Sequence, residues 1–330
     1  MAGAAHPARR CRRRGRRRRC HTRRPGLVRR RPELDRRTSS VINFRYHLVS
    51  IAAILLALAA GIALGSGPLD DATSGLTDDN GSDTAADPGL ARFETGYAGL
   101  TSGALLKDKL KGHSVVVLTL PGARAEETKD IRADLEKAGA TVTGEVQLTA
   151  KLIDPSNRQF AEGVAQQAGE GVKGVTSAGD SYGRIGAALG RSVLGTPGRP
   201  IDSVATTISS AFTEGDLVTY AAKPKTVADL AVVVASPSKV GETGQVVAQL
   251  VKAVDASGKG AVLAGPSSSS RDGGSVAALR DNDASAQVSS VDVTDTAAGR
   301  VVVALALARE AAGQSGAWGT SRSADGAVPR

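Results

Sequence analysis

Two hydrophobic patterns divide the chain. Residues 48–65 (LVSIAAILLALAAGIALG) form an apolar run of 18 residues with no charge and one hydroxyl, Ser50. At about 1.5 Å rise per residue a helix of that length reaches about 27 Å, close to the hydrocarbon thickness of a bilayer. From residue 114 the pattern changes to short β-branched runs separated by helical periodicity. Strands are predicted over 114–120 (SVVVLTL), 141–148, 229–235 (DLAVVVA), 260–264 and 288–293. Helices are predicted over 90–110, 125–138, 241–255, 275–281 and 296–313, and the stretch 154–226 reads as mostly helical. Continuous apolar strands joined by helices are buried on both faces. The expected class is therefore α/β: a single N-terminal transmembrane helix followed by a mostly parallel sheet layered with helices.

The segments between these patterns set the expected boundaries. Residues 1–40 are a disordered Arg-rich tract, 41–65 the anchor, 66–89 a flexible linker, 90–319 an extracytoplasmic α/β domain and 320–330 a disordered tail. The linker is rich in Gly, Ser, Thr and Pro and carries six aspartates, and the spacing of Asp78, Asp79 and Asp83 does not fit a calcium-binding EF-hand loop.

Charge changes meaning once it is read by segment. The formal net charge is +9, but residues 1–40 hold 16 Arg against Glu33 and Asp35, leaving 26 Lys+Arg against 31 Asp+Glu in the remainder. The basic balance thus belongs to the first forty residues, and no nucleic-acid partner is expected for the body of the chain. The tract reads as a nucleic-acid arm, a lipid-binding anchor, a positive-inside signal, or upstream sequence that is not translated, since Val41 can be encoded by the alternative start GTG. Arg45 before the apolar run and Asp70 and Asp71 after it place the N-terminus in the cytoplasm and the long remainder outside. A cleaved signal peptide is the rival to an anchor, with Ala63 and Gly65 as the small residues before Ser66.

Within the apolar run Ala53, Ala57, Gly61 and Gly65 recur every four residues, and 61–65 is a GxxxG. That stripe would let two helices pack closely, making a homo-oligomer through the membrane helix an expected partner beside the lipid bilayer.

The run VINFRYHLVSIAAILLALAAGIALGSGPL (residues 41–69) resembles the N-terminal signature of the actinobacterial copper transporter family typified by mycobacterial copper transport protein B (MctB). Weaker features follow in the same order. They are Leu110-Lys111-Gly112, Pro121-Gly122-Ala123, Ala138-Gly139-Ala140, Ser290-Val291-Asp292, and a closing Gly316-Ala317-Trp318-Gly319 where the family tends to have Tyr for Trp. Members of the family tend to begin at the position of Val41. The resemblance implies a role in copper efflux or resistance and, in organisms that have an outer membrane, a channel there. It carries over no catalytic or metal-binding residue.

The residue inventory sets limits on copper chemistry. Cu(I) prefers thiolate and thioether ligands and Cu(II) imidazole. The chain has Cys11 and Cys20 only, Met1 only, and His113 as the one histidine after the apolar run. No metal ligand set and no resident cofactor are expected; copper enters as the transported species. His113, at the start of a strand, reads as an ordinary surface residue. A transmembrane β-barrel is disfavoured by 3% aromatic content and by continuous rather than alternating strands.

Two loops follow strands in positions where open α/β sheets bind ligands: Pro121, Gly122 and Arg124 after the first, and Ser267 and Ser268 in GPSSSSRDGG. They are candidate sheet-edge loops. With His113 as the single available base, Ser–His catalysis is not expected, no dinucleotide, P-loop or zinc-protease motif is present, and the chain is read as not an enzyme. Two functions remain open. One is a membrane-anchored copper transport protein, a channel component being one form of that role. The other is a non-transporting envelope protein whose exported domain binds a partner or polar ligand.

Overall fold

A computed structural model describes residues 49–58 and 87–329. The Arg-rich tract, Gly61, Gly65 and nearly all of the linker lie outside the described residues. Residues 49–58 are a helix (α1) carrying Ala53 and Ala57, and its large apolar side chains are exposed, from 58% at Ile51 to 71% at Leu56. No helix among the described residues is long and apolar enough to cross a membrane. Residues 87–329 form a compact unit of their own.

That unit is built on seven strands: β1 (Ser114–Thr119), β2 (Thr141–Leu148), β3 (Val218–Ala222), β4 (Leu230–Val234), β5 (Ala261–Ala264), β6 (Ser289–Val291) and β7 (Ala317–Trp318). They lie in the order β3-β2-β1-β4-β5-β6-β7. Every pairing is parallel except β2 with β3. The sheet is therefore mixed but mostly parallel, as the sequence predicted, with one antiparallel edge strand. The antiparallel β3 falls in the stretch read as mostly helical. Its burial alternates rather than running continuously, as suits an edge strand paired on one side, and so it lacks the apolar run that marked β1 and β4.

The helices of this unit are α2 (Pro88–Leu106), α3 (Ala125–Lys137), α4 (Ala150–Ile153), α5 (Arg158–Ala168), α6 (Lys173–Ser177), α7 (Ser181–Val193), α8 (Ser203–Glu214), α9 (Thr243–Asp255), α10 (Ser275–Arg280) and α11 (Ala297–Ala311). The β1 side chains divide between two cores by strand alternation. Val116 and Leu118 pack with Ile185 and Leu189 of α7 and Val247 and Val251 of α9. Val115 and Val117 pack with Leu106 of α2, Ile131 and Leu135 of α3, and Val303 and Leu307 of α11. Helices thus cover both faces, which is why β1 and β4 are apolar at nearly every position.

Helix starts follow their caps. The Asp180, Asp202 and Thr296 side chains accept from the amides of Gly183, Ala205 and Gly299 and so begin α7, α8 and α11. Residues after Gly319, placed in a disordered tail by composition, fold back instead. Gly319 N–H donates to Gly326 O at 3.0 Å, and Asp325 N–H to Ala317 O at 2.7 Å. The tail looked unstructured because its order comes from these backbone bonds and not from an apolar pattern.

Candidate functional site

The parallel strands run in the order β2-β1-β4-β5-β6-β7, with the chain turning one way after β1 and the other way after β4. The carboxyl ends of β1 and β4 therefore mark the topological switch point, outside which open α/β sheets bind ligands. Both candidate loops are on this carboxyl edge. Leu120 N–H donates to Val234 O at 2.9 Å, so the two strand ends stay joined as the loops begin.

Gly122 turns the β1 loop at φ +83°, and a Cβ there would lie 2.9 Å from Ser236 Oγ. Ser236, buried in the loop after β4, accepts from Ser238 N–H at 3.0 Å. Ser268 Oγ reaches the same loop, donating to Pro237 O at 3.0 Å. The loop at 236–238 therefore bridges the two predicted loops, although it carried no motif of its own. Ser267 is tied differently: its N–H and Oγ both donate to the Asp295 carboxylate, at 3.1 and 2.9 Å. Pro121 is half-buried beside Gly122, and Arg124 is half-exposed at the start of α3.

Behind these loops sits Glu127, buried in the first turn of α3. Its Oε1 accepts from Thr294 Oγ1, and its Oε2 has no hydrogen-bond partner, with Arg124 Nη1 at 3.9 Å. Burial raises its pKa; the Thr294 bond and Arg124 oppose that, and the nearby Asp295 charge adds to it. The edge thus combines two carboxylates, an accessible guanidinium and several hydroxyls. Such a set can hold a polar group by hydrogen bonds. No group of three or more His, Cys, Asp or Glu able to hold a metal occurs among the described residues.

His113 stands at the opposite, amino edge of the sheet, just before β1, so it cannot serve the serines after β5. Its environment corrects the expectation of an ordinary surface residue. Nδ1 lies 2.7 Å from Oδ2 of buried Asp229, whose Oδ1 accepts from Ser114 N–H at 2.8 Å. Lys259 Nζ is 3.2 Å from the same carboxylate. Asp229 keeps a lowered pKa despite strong desolvation because the Ser114 amide, His113 and Lys259 all favour its charged form.

Asp229 is one of three carboxylates holding strand starts. Asp255 accepts from Ala261 N–H at 2.7 Å at the head of β5, and Glu310 from Ser289 N–H at 2.7 Å at the head of β6. Burial pushes these two up, Asp255 to about 6 and Glu310 to about 7, the latter also through the Asp255 charge. Sequence reasoning missed all three. The available signal was an acidic residue standing where an apolar one would complete the core.

Four of the five weak sequence motifs meet in pairs. Gly139 of the 138–140 motif, at φ +89°, comes so near the 110–112 motif that a Cβ on it would lie 3.4 Å from Lys111 Cα, and Leu110 N–H donates to Ala138 O. Asp292 of the 290–292 motif accepts from Thr320 N–H at 2.7 Å, Ser321 Oγ at 2.6 Å and Arg280 Nη1 at 2.5 Å. A Cβ on Gly319 of the closing motif would overlap the Asp292 carboxylate. These motifs are contacts of the fold, with no ligand set among them.

A family model described as "Copper transport outer membrane protein, MctB" matches residues 41–329. Curated proteins named "Copper transporter MctB" from Mycobacterium bovis and Mycobacterium tuberculosis are 30% identical over 289 residues, covering 81% of this chain and 92% of theirs. The protein of the same name from Mycobacterium leprae is 29% identical over 292 residues, with the same coverage.

Proposed function

The chain belongs to the MctB copper transport family, and on that premise we propose that it is anchored in the cell envelope by its apolar segment and lowers cellular copper by assisting efflux. The observation that carries the reading is the extent of the match. It includes the apolar segment and the whole α/β unit through the tail clasped at Asp292, so the likeness runs along the full architecture and not one module.

The proposed topology is a single pass with the N-terminus in the cytoplasm and the α/β unit outside. It is supported by the 18-residue uncharged run, by Arg45 before it and Asp70 and Asp71 beyond, and by the family's description as an outer membrane protein. Copper is the cargo. One apolar segment has no lumen, and the seven-stranded sheet is open and covered by helices, so any channel role works through an assembly of copies or with partners.

A second reading, an envelope protein that binds a partner or polar ligand without transport, is favoured by the carboxyl edge itself. There polar loops meet at the switch point, with Arg124 accessible and Glu127 Oε2, 3.9 Å from Arg124 Nη1, lacking a hydrogen-bond partner. Deleting the protein separates the two. Efflux requires that deletion raise cell-associated copper and copper sensitivity and that the wild-type chain restore both. Unchanged copper with a co-purifying envelope partner supports the second reading instead.

A further inference from the structure

Helix α2 carries a seven-residue repeat with large apolar positions that the other described residues leave uncovered. Its sequence from Gly89 reads GLARFET, GYAGLTS, GA: glycine, a large apolar residue, alanine, any residue, Phe or Leu, any residue, Thr or Ser. One face, through Ala98, Ser102 and Leu106, is buried on the α/β unit. The opposite face bears Leu90, Phe93, Tyr97 and Leu100, which are 64%, 70%, 61% and 84% exposed. Their spacing of three, four and three residues is that of the a and d positions of a coiled coil, and the rings of Phe93 and Tyr97 stack at 6.2 Å.

Two glycines flank this stripe one heptad apart. Nothing lies within 4 Å of the position a Cβ would take on Gly96 or Gly103. Glycine inside an exposed helix is unfavourable relative to alanine and gains nothing from water. It becomes useful where a second backbone must approach closely, as between tightly packed helices.

We infer that α2 is a homotypic docking helix: two copies of this chain pair through Leu90, Phe93, Tyr97 and Leu100, with Gly96 and Gly103 allowing the backbones to close. A heptad repeat is matched by a copy of itself. The four side chains expose on the order of 500 Å² of apolar surface, given about 150–250 Å² for an aromatic. That is about three-fifths of the roughly 800 Å² that each partner contributes to a standard interface, and the glycine flank, where the backbones approach, supplies further contact. A lipid surface fits less well, because interfacial helices carry many Lys and Arg on their polar face, whereas α2 has Arg92 alone. This pairing is independent of the copper reading.

The test uses the full chain in detergent, with Cys11→Ser and Cys20→Ser removing the natural thiols. Single cysteines are introduced by Leu100→Cys, by Phe93→Cys, and by Lys129→Cys on α3 as an exposed control. Mild oxidation should give a disulfide-linked dimer for the two stripe variants and none for the control. Adding Phe93→Glu to Leu100→Cys should lower the dimer yield at least tenfold without shifting the thermal melt. Absence of cross-linking at both stripe positions, or equal cross-linking at the control, overturns the inference. So does a stripe thiol that stays monomeric and becomes shielded from a water-soluble maleimide only when phosphatidylglycerol vesicles are added, which would assign the face to lipid.

Discussion

Arg280 and Asp292 form an ion pair at 2.5 Å with their side chains 4% and 0% exposed, and this pair fixes the end of the chain to the sheet. The guanidinium also donates to Ser290 Oγ, Ser321 Oγ and Trp318 O. Removing one member leaves the other charged and buried, a change that costs about 3–5 kcal/mol. Asp292→Ala is therefore expected to destabilise the α/β unit by that order in urea titration. It should also expose residues 320–326 to hydrogen exchange before the rest of the fold.

Acid should unfold the protein partly through the same residue. The Asp292 pKa is held below 3.8 by Ser321, the Thr320 amide and Arg280, and that of Asp229 by the Ser114 amide, His113 and Lys259. A carboxyl with a depressed folded pKa contributes stability above its unfolded value, and this is lost as pH falls through the folded one. Stability from Asp292 and Asp229 should therefore fall only below about pH 4, and Asp292→Asn should flatten that limb of the pH–stability curve.

Glu310 and Asp255 act with the opposite sign in a different window. Their folded pKa values of about 7 and about 6 lie above the ordinary 4.5 and 3.8. The folded state then binds protons that the unfolded state has released. Their contribution is full below about pH 4 and is lost as pH rises through 6 and 7. Glu310→Gln keeps an oxygen for the Ser289 amide and removes the titration. It should stabilise the protein at pH 8 by on the order of 2 kcal/mol relative to wild type, and by much less at pH 5. Melting temperature measured across that range checks both the sign and the window.

At the switch point, Gly122 is constrained twice, by φ +83° and by the 2.9 Å approach to Ser236 Oγ. Gly122→Val should cost about 1–3 kcal/mol from backbone strain alone. Ser236→Ala in the same background removes the steric part and should recover some of the loss. The double-mutant cycle by chemical denaturation reads that coupling directly.

Much of the fold was legible because burial on both faces demands it. The runs SVVVLT and LAVVV became β1 and β4, each buried at every position. β3 and β7 were not legible: VTYAA is a half-exposed edge strand, and β7 is two residues whose partner β6 lies across the length of α11. At the candidate site, the loops after β1 and β5 could be found because Gly, Pro and Ser punctuate the ends of apolar runs. What could not be found was their meeting through Ser236 and Pro237, or the burial of Glu127 beneath them. Those depend on strand order, which single runs do not encode. His113 was misjudged for the same reason, since its partner Asp229 is 116 residues away.

The central claim, efflux by an envelope-anchored protein, is tested most directly by elemental analysis of cells lacking the chain, grown with and without added copper. Complementation should use the wild-type chain and a form in which residues 48–65 are replaced by a cleavable leader. The account predicts that deletion raises cell-associated copper severalfold under load, that the wild type restores the parental level, and that the unanchored form does not. Copper content equal to the parent in the deletion strain under load would contradict it.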